Sequence, residues 1–258
     1  MTQEERRIAL IQFLLDERQE RNIPLPSSEA EQKRLLRGLM NVRPPHPIGQ
    51  EFLQLQDEYL QEEQRRRGVT DWRTLSPIRD GLYLWRGDIT TLRCDAIVNA
   101  ANSGMTGCYV PNHRCIDNAI HTYAGVELRL ACEELMERQG HPEPAGQAKI
   151  TPAFNLPCRY VLHTVGPIIQ GQVTEQDEKL LASCYRSCLE LAAENGLESV
   201  AFCCISTGIF RFPNESAAEI AVRTVKEFLN KPSSVKKVIF NVFKDLDKDI
   251  YARLLGAD

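Results

Sequence analysis

The chain has 258 residues, 43% of them hydrophobic, enough for one large domain or a domain with an extension around a substantial core. Its formal net charge of −4 gives no overall basic surface, which excludes a protein whose affinity rests on neutralising nucleic-acid phosphates. The opening stretch MTQEERRIALIQFLLDERQ sets charges on both sides of a short apolar patch, unlike a signal peptide or membrane span, so a soluble cytoplasmic protein with no membrane partner is expected.

In chain order, residues 1–75 read as a helical extension. Two capping patterns, Thr2 with Glu5 and Ser28 with Glu31, mark helix starts, and the stripes Ile8, Ile11, Leu15 and Leu35, Leu36, Leu39, Met40 suit packing against a larger body. The proline-rich NVRPPHPIGQ makes a stiff connector to a third helix carrying Phe52, Leu55 and Tyr59. That helix ends in QEEQRRRG, read as a solvated helix end. From residue 76 to 258 short apolar runs alternate with long amphipathic ones, the pattern of a sheet covered by helices. The predicted strands are LYLW, AIVNA, AKITPA, YVLHTV, VAFCCIS and KKVIFNVF. Helices are expected at about 115–138, 175–195, 214–230 and 245–255. The reading is an α/β domain with a mixed sheet.

Ligands of open α/β sheets bind beyond the carboxyl ends of strands, where loops lead into helices. Three such loops are polar or glycine-bearing: WRGDIT at 85–90, VNAANSG at 98–104, and CCISTGIFRFPNESAA at 203–218. Each taken singly also fits ordinary turn chemistry. A fourth stretch, GCYVPNHRCIDNAIH at 107–121, sets Cys108, His113 and Cys115 within eight positions. Two thiolates and an imidazole suit zinc, and three protein ligands leave an open position, as catalytic zinc requires. The spacing alone also admits buried thiols beside a surface histidine, and Cys94, Cys158 or His163 are candidates for a fourth ligand. The remaining cysteines read as small core hydrophobes in a reduced setting. Asp117 falls in the first turn of the following helix, and His121 and His163 read as packed histidines.

Together, RGDIT, CDAIVNAAN, DNAIH, LHTVGP, CISTGIFRFP and VIFNVF, in that order, closely resemble the motifs of macrodomains. The resemblance covers residues 82–255 and implies a three-layer α/β/α fold with an ADP-ribose cleft along the strand ends. It implies that Asp88 and Ile89 meet the adenine, that Phe243 stacks on it, and that Ser206, Thr207, Gly208, Ile209 and Phe210 wrap the diphosphate. Asn102 and Asp117 would lie near the distal ribose. The glycine run common in hydrolytic macrodomains is replaced here by GCYVPNHRC, which looks like zinc-dependent bacterial macrodomains associated with a sirtuin-like ADP-ribosyltransferase. That likeness assigns the zinc ligands to Cys108, His113 and Cys115.

The implied activity is zinc-dependent removal of mono-ADP-ribose from modified proteins at glutamate or aspartate esters, with Asp117 as general base and Asn102 fixing the ribose. The implied partners are ADP-ribose, a mono-ADP-ribosylated carrier protein and the transferase. Two alternatives stand beside it: a reader that binds ADP-ribose without hydrolysis, and an O-acetyl-ADP-ribose deacetylase.

Overall fold

The computed structural model describes residues 1–20 and 22–256. Three helices come first: α1 (Gln3–Glu17), α2 (Glu29–Val42) and α3 (Gln50–Arg67). Thr2 and Glu5 close a full capping box on α1, and on α2 Ser28 Oγ accepts from the Glu31 amide while donating to the Glu31 carboxylate at 2.6 Å. The buried stripe of α1 is Leu10, Ile11, Leu14 and Leu15. Ile8 sits half-buried at its margin. With Leu36, Leu39, Met40, Phe52, Tyr59 and Leu60 these residues form a separate apolar cluster whose one contributor from beyond residue 75 is Val126.

The main sheet has six strands: β2 (Leu82–Arg86), β4 (Ala96–Ala101), β5 (Ala148–Pro152), β6 (Tyr160–Val165), β7 (Ser199–Phe202) and β8 (Lys237–Val242), in the order β2-β8-β7-β4-β6-β5. All neighbours are parallel except β5 against β6, so the sheet is mixed and five strands end at one edge. Two short strands, β1 (Thr70–Asp71) and β3 (Leu92–Arg93), pair in parallel outside it. The β4 and β7 runs are buried almost throughout and mostly apolar, as strands covered on both faces must be. Helices α4 (Ile116–Ala124) and α5 (Val126–Gln139) pack on β4 and β5, α6 (Glu175–Glu194) on β5 and β6, and α8 (Asp245–Leu255) on β2 and β8. The remaining helix, α7 (Asn214–Leu229), lies between α6 and α8. This is the expected three-layer α/β/α architecture with a mixed sheet, preceded by three helices.

Two expectations differ from the structure. Strand β7 stops at Phe202, so Cys203 and Cys204 lie in the loop beyond it, where the chain must leave the ladder for Ser206 to take a left-handed backbone (φ +64°). The helix expected over 115–138 is broken at Gly125, whose φ of 99° and ψ of 175° are accessible almost only to glycine. A Cβ there would also come within 2.6 Å of the Gln56 side chain, which caps α5 by accepting from the Val126 amide at 2.8 Å. The break is therefore where α3 locks onto the domain. Gly125→Ala should cost about 1–3 kcal/mol from the backbone conformation alone, read as a lower urea midpoint, and an unchanged midpoint would show that the corner has room to relax.

Candidate active site

The candidate residues come from the carboxyl ends of the parallel strands. After β4 the chain passes through Asn102 into a loop that carries Cys108, His113 and Cys115 before α4 begins. Within that loop Pro111 and Asn112 occupy the centre of a turn closed by the His113 amide to the Val110 carbonyl (3.2 Å), and Asn112 has φ +56°. Proline before an asparagine able to take positive φ is suitable chemistry for such a turn. Cys115 then caps α4, its Sγ accepting from the Asn118 amide at 3.3 Å.

The turn brings the three soft donors together. Cys108 Sγ lies 3.6 Å from His113 Nδ1, and one donor atom from each of Cys108, His113 and Cys115 lies within 4.8 Å of the others. Burial pushes the Cys115 thiol up to about 12, so a metal cation here must displace its proton. The donor set of two sulfurs and an imidazole fits zinc. Among the described residues no fourth protein donor joins this group: Cys94 and Cys158 are buried in the main core, and His163 belongs to a second cluster with His121 and Cys132. That second cluster is fully buried, and both nitrogens of His163 are engaged. Nδ1 is 3.2 Å from the Asn99 amide and Nε2 is 2.9 Å from Thr151 Oγ1, which fits a neutral ring with its hydrogen on Nε2. Burial lowers His163 to about 3. We assign the second cluster to packing.

Asp117 stands in the first turn of α4, 4% exposed. Its Oδ1 accepts from Asn99 Nδ2 at 2.8 Å and its Oδ2 from Asn102 Nδ2 at 3.4 Å. Asn102 Nδ2 also donates to the Gly107 carbonyl at 3.1 Å. Burial raises Asp117 to about 6, partly opposed by the Asn99 bond. Asn99 belongs to VNAANSG, but the motifs assign it no role; a polar side chain in the middle of an almost wholly buried strand has to find a partner, and that requirement is visible in AIVNAA. His121 lies 3.6 Å from Asp117, and burial keeps it neutral.

At the other end of the edge, Asp88 follows β2 and caps the short turn Ile89–Thr91, accepting from the Thr90 amide at 2.9 Å and the Thr90 hydroxyl at 2.6 Å. Ile89 is buried, so what it offers a ligand is backbone. Phe243, just past β8, is 75% exposed, its face open to stacking. Ser206, Thr207, Gly208, Ile209 and Phe210 form the loop between β7 and α7, with Ile209 exposed at its tip. This loop lies hard against the one after β6: a Cβ on Gly166 would fall 2.0 Å from Ser206 Oγ, so only glycine allows the approach.

One contributor lies far from every motif. The run QEEQRRRG is only partly a solvated helix end: Arg65 and Arg66 pair with Glu62, whereas Arg67 turns inward. Its guanidinium sits 3.6 Å from the centroid of the Tyr123 ring and donates to Asp88 Oδ2 (2.5 Å) and Thr90 Oγ1 (2.6 Å). The last residue of α3 thus fixes the carboxylate that caps the turn after β2. Among the described residues no helix is long and apolar enough to cross a membrane.

Residues 98–221 match the Macro domain family. A Treponema medium protein named protein-ADP-ribose hydrolase is 60% identical over 261 residues, covering 99% of this chain and all of the relative. A Staphylococcus aureus protein of the same name is 50% identical, covering 97% of this chain and 96% of the relative. Among solved structures, a mutant of the Oceanobacillus iheyensis macrodomain with ADPR is 40% identical at a TM-score of 0.64, covering 71% of this chain and 96% of that one. The Trypanosoma brucei macrodomain in complex with ADP-ribose is 30% identical at a TM-score of 0.66, covering 82% and 92%. The chain belongs to the macrodomain family, with proteins named protein-ADP-ribose hydrolase as relatives over nearly its whole length.

Proposed function

We propose that this protein is a zinc-dependent hydrolase that removes mono-ADP-ribose from modified proteins, cleaving the ester that joins the distal ribose to a glutamate or aspartate side chain. The observation that carries this reading is the grouping of Cys108, His113 and Cys115 on the loop that joins Asn102 to Asp117, with three donors and no fourth among the described residues. The relatives named protein-ADP-ribose hydrolase and the macrodomain solved with ADP-ribose support the ligand and the reaction class. Zinc held by those three residues would supply Lewis-acid stabilisation of charge developing on oxygen at the distal ribose.

The rest is done by the chain itself. Phe243 offers its face to the adenine, and Asp88, held by Arg67, accepts from the exocyclic amine. The backbone amides of 206–210, with the α7 N-terminus behind them, face the diphosphate. These contacts hold the far end of the ligand and so orient the ribose ester, which contributes positioning rather than bond breaking. Asn102 fixes the distal ribose. Asp117 takes the proton from the attacking water, and its two asparagine partners hold the carboxylate toward the ribose.

The nine free thiols support a reducing cytoplasmic setting. The likeness of residues 107–121 to sirtuin-associated macrodomains supports a carrier protein modified by a sirtuin-like transferase as the substrate.

Release of free ADP-ribose from a glutamate-modified protein, set beside release from serine-modified protein and from O-acetyl-ADP-ribose, tests the reading. The glutamate-linked substrate should be turned over fastest, and binding without any release would make the protein a reader. Phe243→Ala should weaken ADP-ribose binding by about 1–3 kcal/mol, roughly fivefold to 150-fold, the range of a base stacked on an aromatic side chain. Titration calorimetry measures it, and unchanged affinity would move the adenine away from Phe243.

A further inference from the structure

The helices before residue 70 are reached by the metal-ligand loop through a specific set of polar bonds. Arg37, midway along α2, donates through Nε and Nη2 to Asn118 Oδ1 at 3.2 and 2.8 Å, and through Nη2 to the His113 carbonyl at 3.0 Å. Asn118 is itself a hub. Its side-chain amide donates to the Val110 carbonyl at 3.0 Å and the Cys108 carbonyl at 3.4 Å, and its backbone amide donates to Cys115 Sγ at 3.3 Å. Arg37 and Asn118 between them therefore touch the backbone of two ligand residues and the sulfur of the third. Asn118 is wholly buried and Arg37 half-buried, so these bonds are shielded from competing water.

A second anchor on the same helix face holds the turn. Asn41 Oδ1 accepts from the Asn112 amide at 2.9 Å, at the residue whose positive φ makes the turn, while Asn41 Nδ2 donates to Thr122 on α4 at 3.0 Å. Gly38, one turn from Asn41, allows the approach: a Cβ there would lie 3.0 Å from Asn112 Nδ2. An extension serving only stability would need apolar contact with the domain, which the cluster containing Val126 already supplies. Other polar bonds fasten the extension to Asp88, Val126 and Asn155, but those made by the Arg37 and Asn41 side chains reach Asn112, His113, Asn118 and Thr122, on the loop that carries the candidate metal ligands and on the helix that follows it.

We propose that Arg37 is a positioning residue of the metal centre: acting through Asn118 and the His113 carbonyl, it sets the spacing of the Cys108, His113 and Cys115 donors, so that the helical extension forms the outer wall of that centre. The proposal rests on the zinc reading above. Groups that orient metal ligands from behind commonly change metal affinity tenfold to a hundredfold when removed.

The test uses the full-length protein and reads the metal rather than the reaction. Zinc affinity is measured by chelator competition, and the cobalt(II)-loaded protein by its absorption spectrum, for wild type, Arg37→Ala, Arg37→Lys, Cys108→Ser and Arg6→Ala. Arg6 pairs with Glu58 within the extension, away from the loop, and controls for a general loosening of the helices. Arg37→Ala should bind zinc about tenfold to a hundredfold more weakly with an altered cobalt spectrum, while Arg6→Ala stays at wild-type affinity. Arg37→Lys retains the charge and stem but not the fork that spans Asn118 and His113, so it should fall between the two. It also decides the matter if Arg37→Ala does not fold. A folded Arg37 variant with wild-type zinc affinity and an unchanged cobalt spectrum would overturn the proposal. Equally weak zinc binding by wild type and Cys108→Ser would overturn the zinc reading itself and this proposal with it, a result distinct from a tight site indifferent to Arg37.

Discussion

Chelation of the zinc-loaded enzyme should lower release of ADP-ribose from a glutamate-modified protein by about 10³-fold, and restored zinc should return it. The magnitude follows from several kcal/mol of charge stabilisation at the reacting oxygen, at about 1.4 kcal/mol per factor of ten. The geometry makes the size of the loss informative. Cys108, His113 and Cys115 lie on the segment that also carries Asn102 at one end and Asp117 at the other, so metal removal has two ways to act. Loss of the Lewis acid alone would leave ADP-ribose affinity nearly unchanged, because Asp88, Phe243 and the 206–210 loop lie on other strands' ends. Collapse of the loop would instead displace Asn102 through its bond to the Gly107 carbonyl and weaken binding as well. Measuring product release and ADP-ribose binding on the same chelated sample separates the two. Full activity after a verified loss of metal would reduce the cluster to a brace for the loop.

Several candidate residues were legible because each is local to a strand end. Asp88, Asn102, the 206–210 loop and Phe243 all follow directly on apolar runs, and in a sheet whose strands are mostly parallel those ends share one edge. The cysteine and histidine spacing was legible for the same reason, since Pro111 and Asn112 fold it within a single turn. What the sequence hid are partners brought in over long separations. Arg67 reaches Asp88 across 21 residues and Arg37 reaches Asn118 across 81. Nothing in QEEQRRRG distinguishes its third arginine from the two that pair with Glu62. The choice is made by Tyr123, a residue of α4 whose ring lies under the Arg67 guanidinium. The break at Gly125 was hidden in the same way: the helical pattern runs through it, and only the Gln56 side chain from α3 explains why the chain must turn there. Local chemistry thus gathered the candidate residues on one edge of the sheet, while the helical extension's part in holding that edge depended on tertiary contacts.

Asp117→Asn should lower the rate of ADP-ribose release by about 10²- to 10⁴-fold, the range for loss of a positioned general base, while ADP-ribose affinity stays within a few-fold of wild type. The substitution suits the site because an asparagine carbonyl can keep the 2.8 Å bond from Asn99, so that only the longer 3.4 Å contact with Asn102 is exchanged for two facing amides. It also removes a carboxylate whose charged form burial disfavours, so the fold has no reason to weaken. Asp117→Ala is a poorer probe, since it would leave one of the two N–H groups of the Asn99 amide unpaired in a dry interior at a cost of about 1–3 kcal/mol and confuse chemistry with stability. Single-turnover release with saturating enzyme reads the chemical step, and calorimetry on the same variant reads binding. A slow variant that binds normally leaves Asp117 as the base. A variant with normal binding and wild-type turnover would remove it from the chemistry, leaving an acid placed at the start of α4 by the helix dipole, and the activation of water would have to come from the neighbouring metal loop.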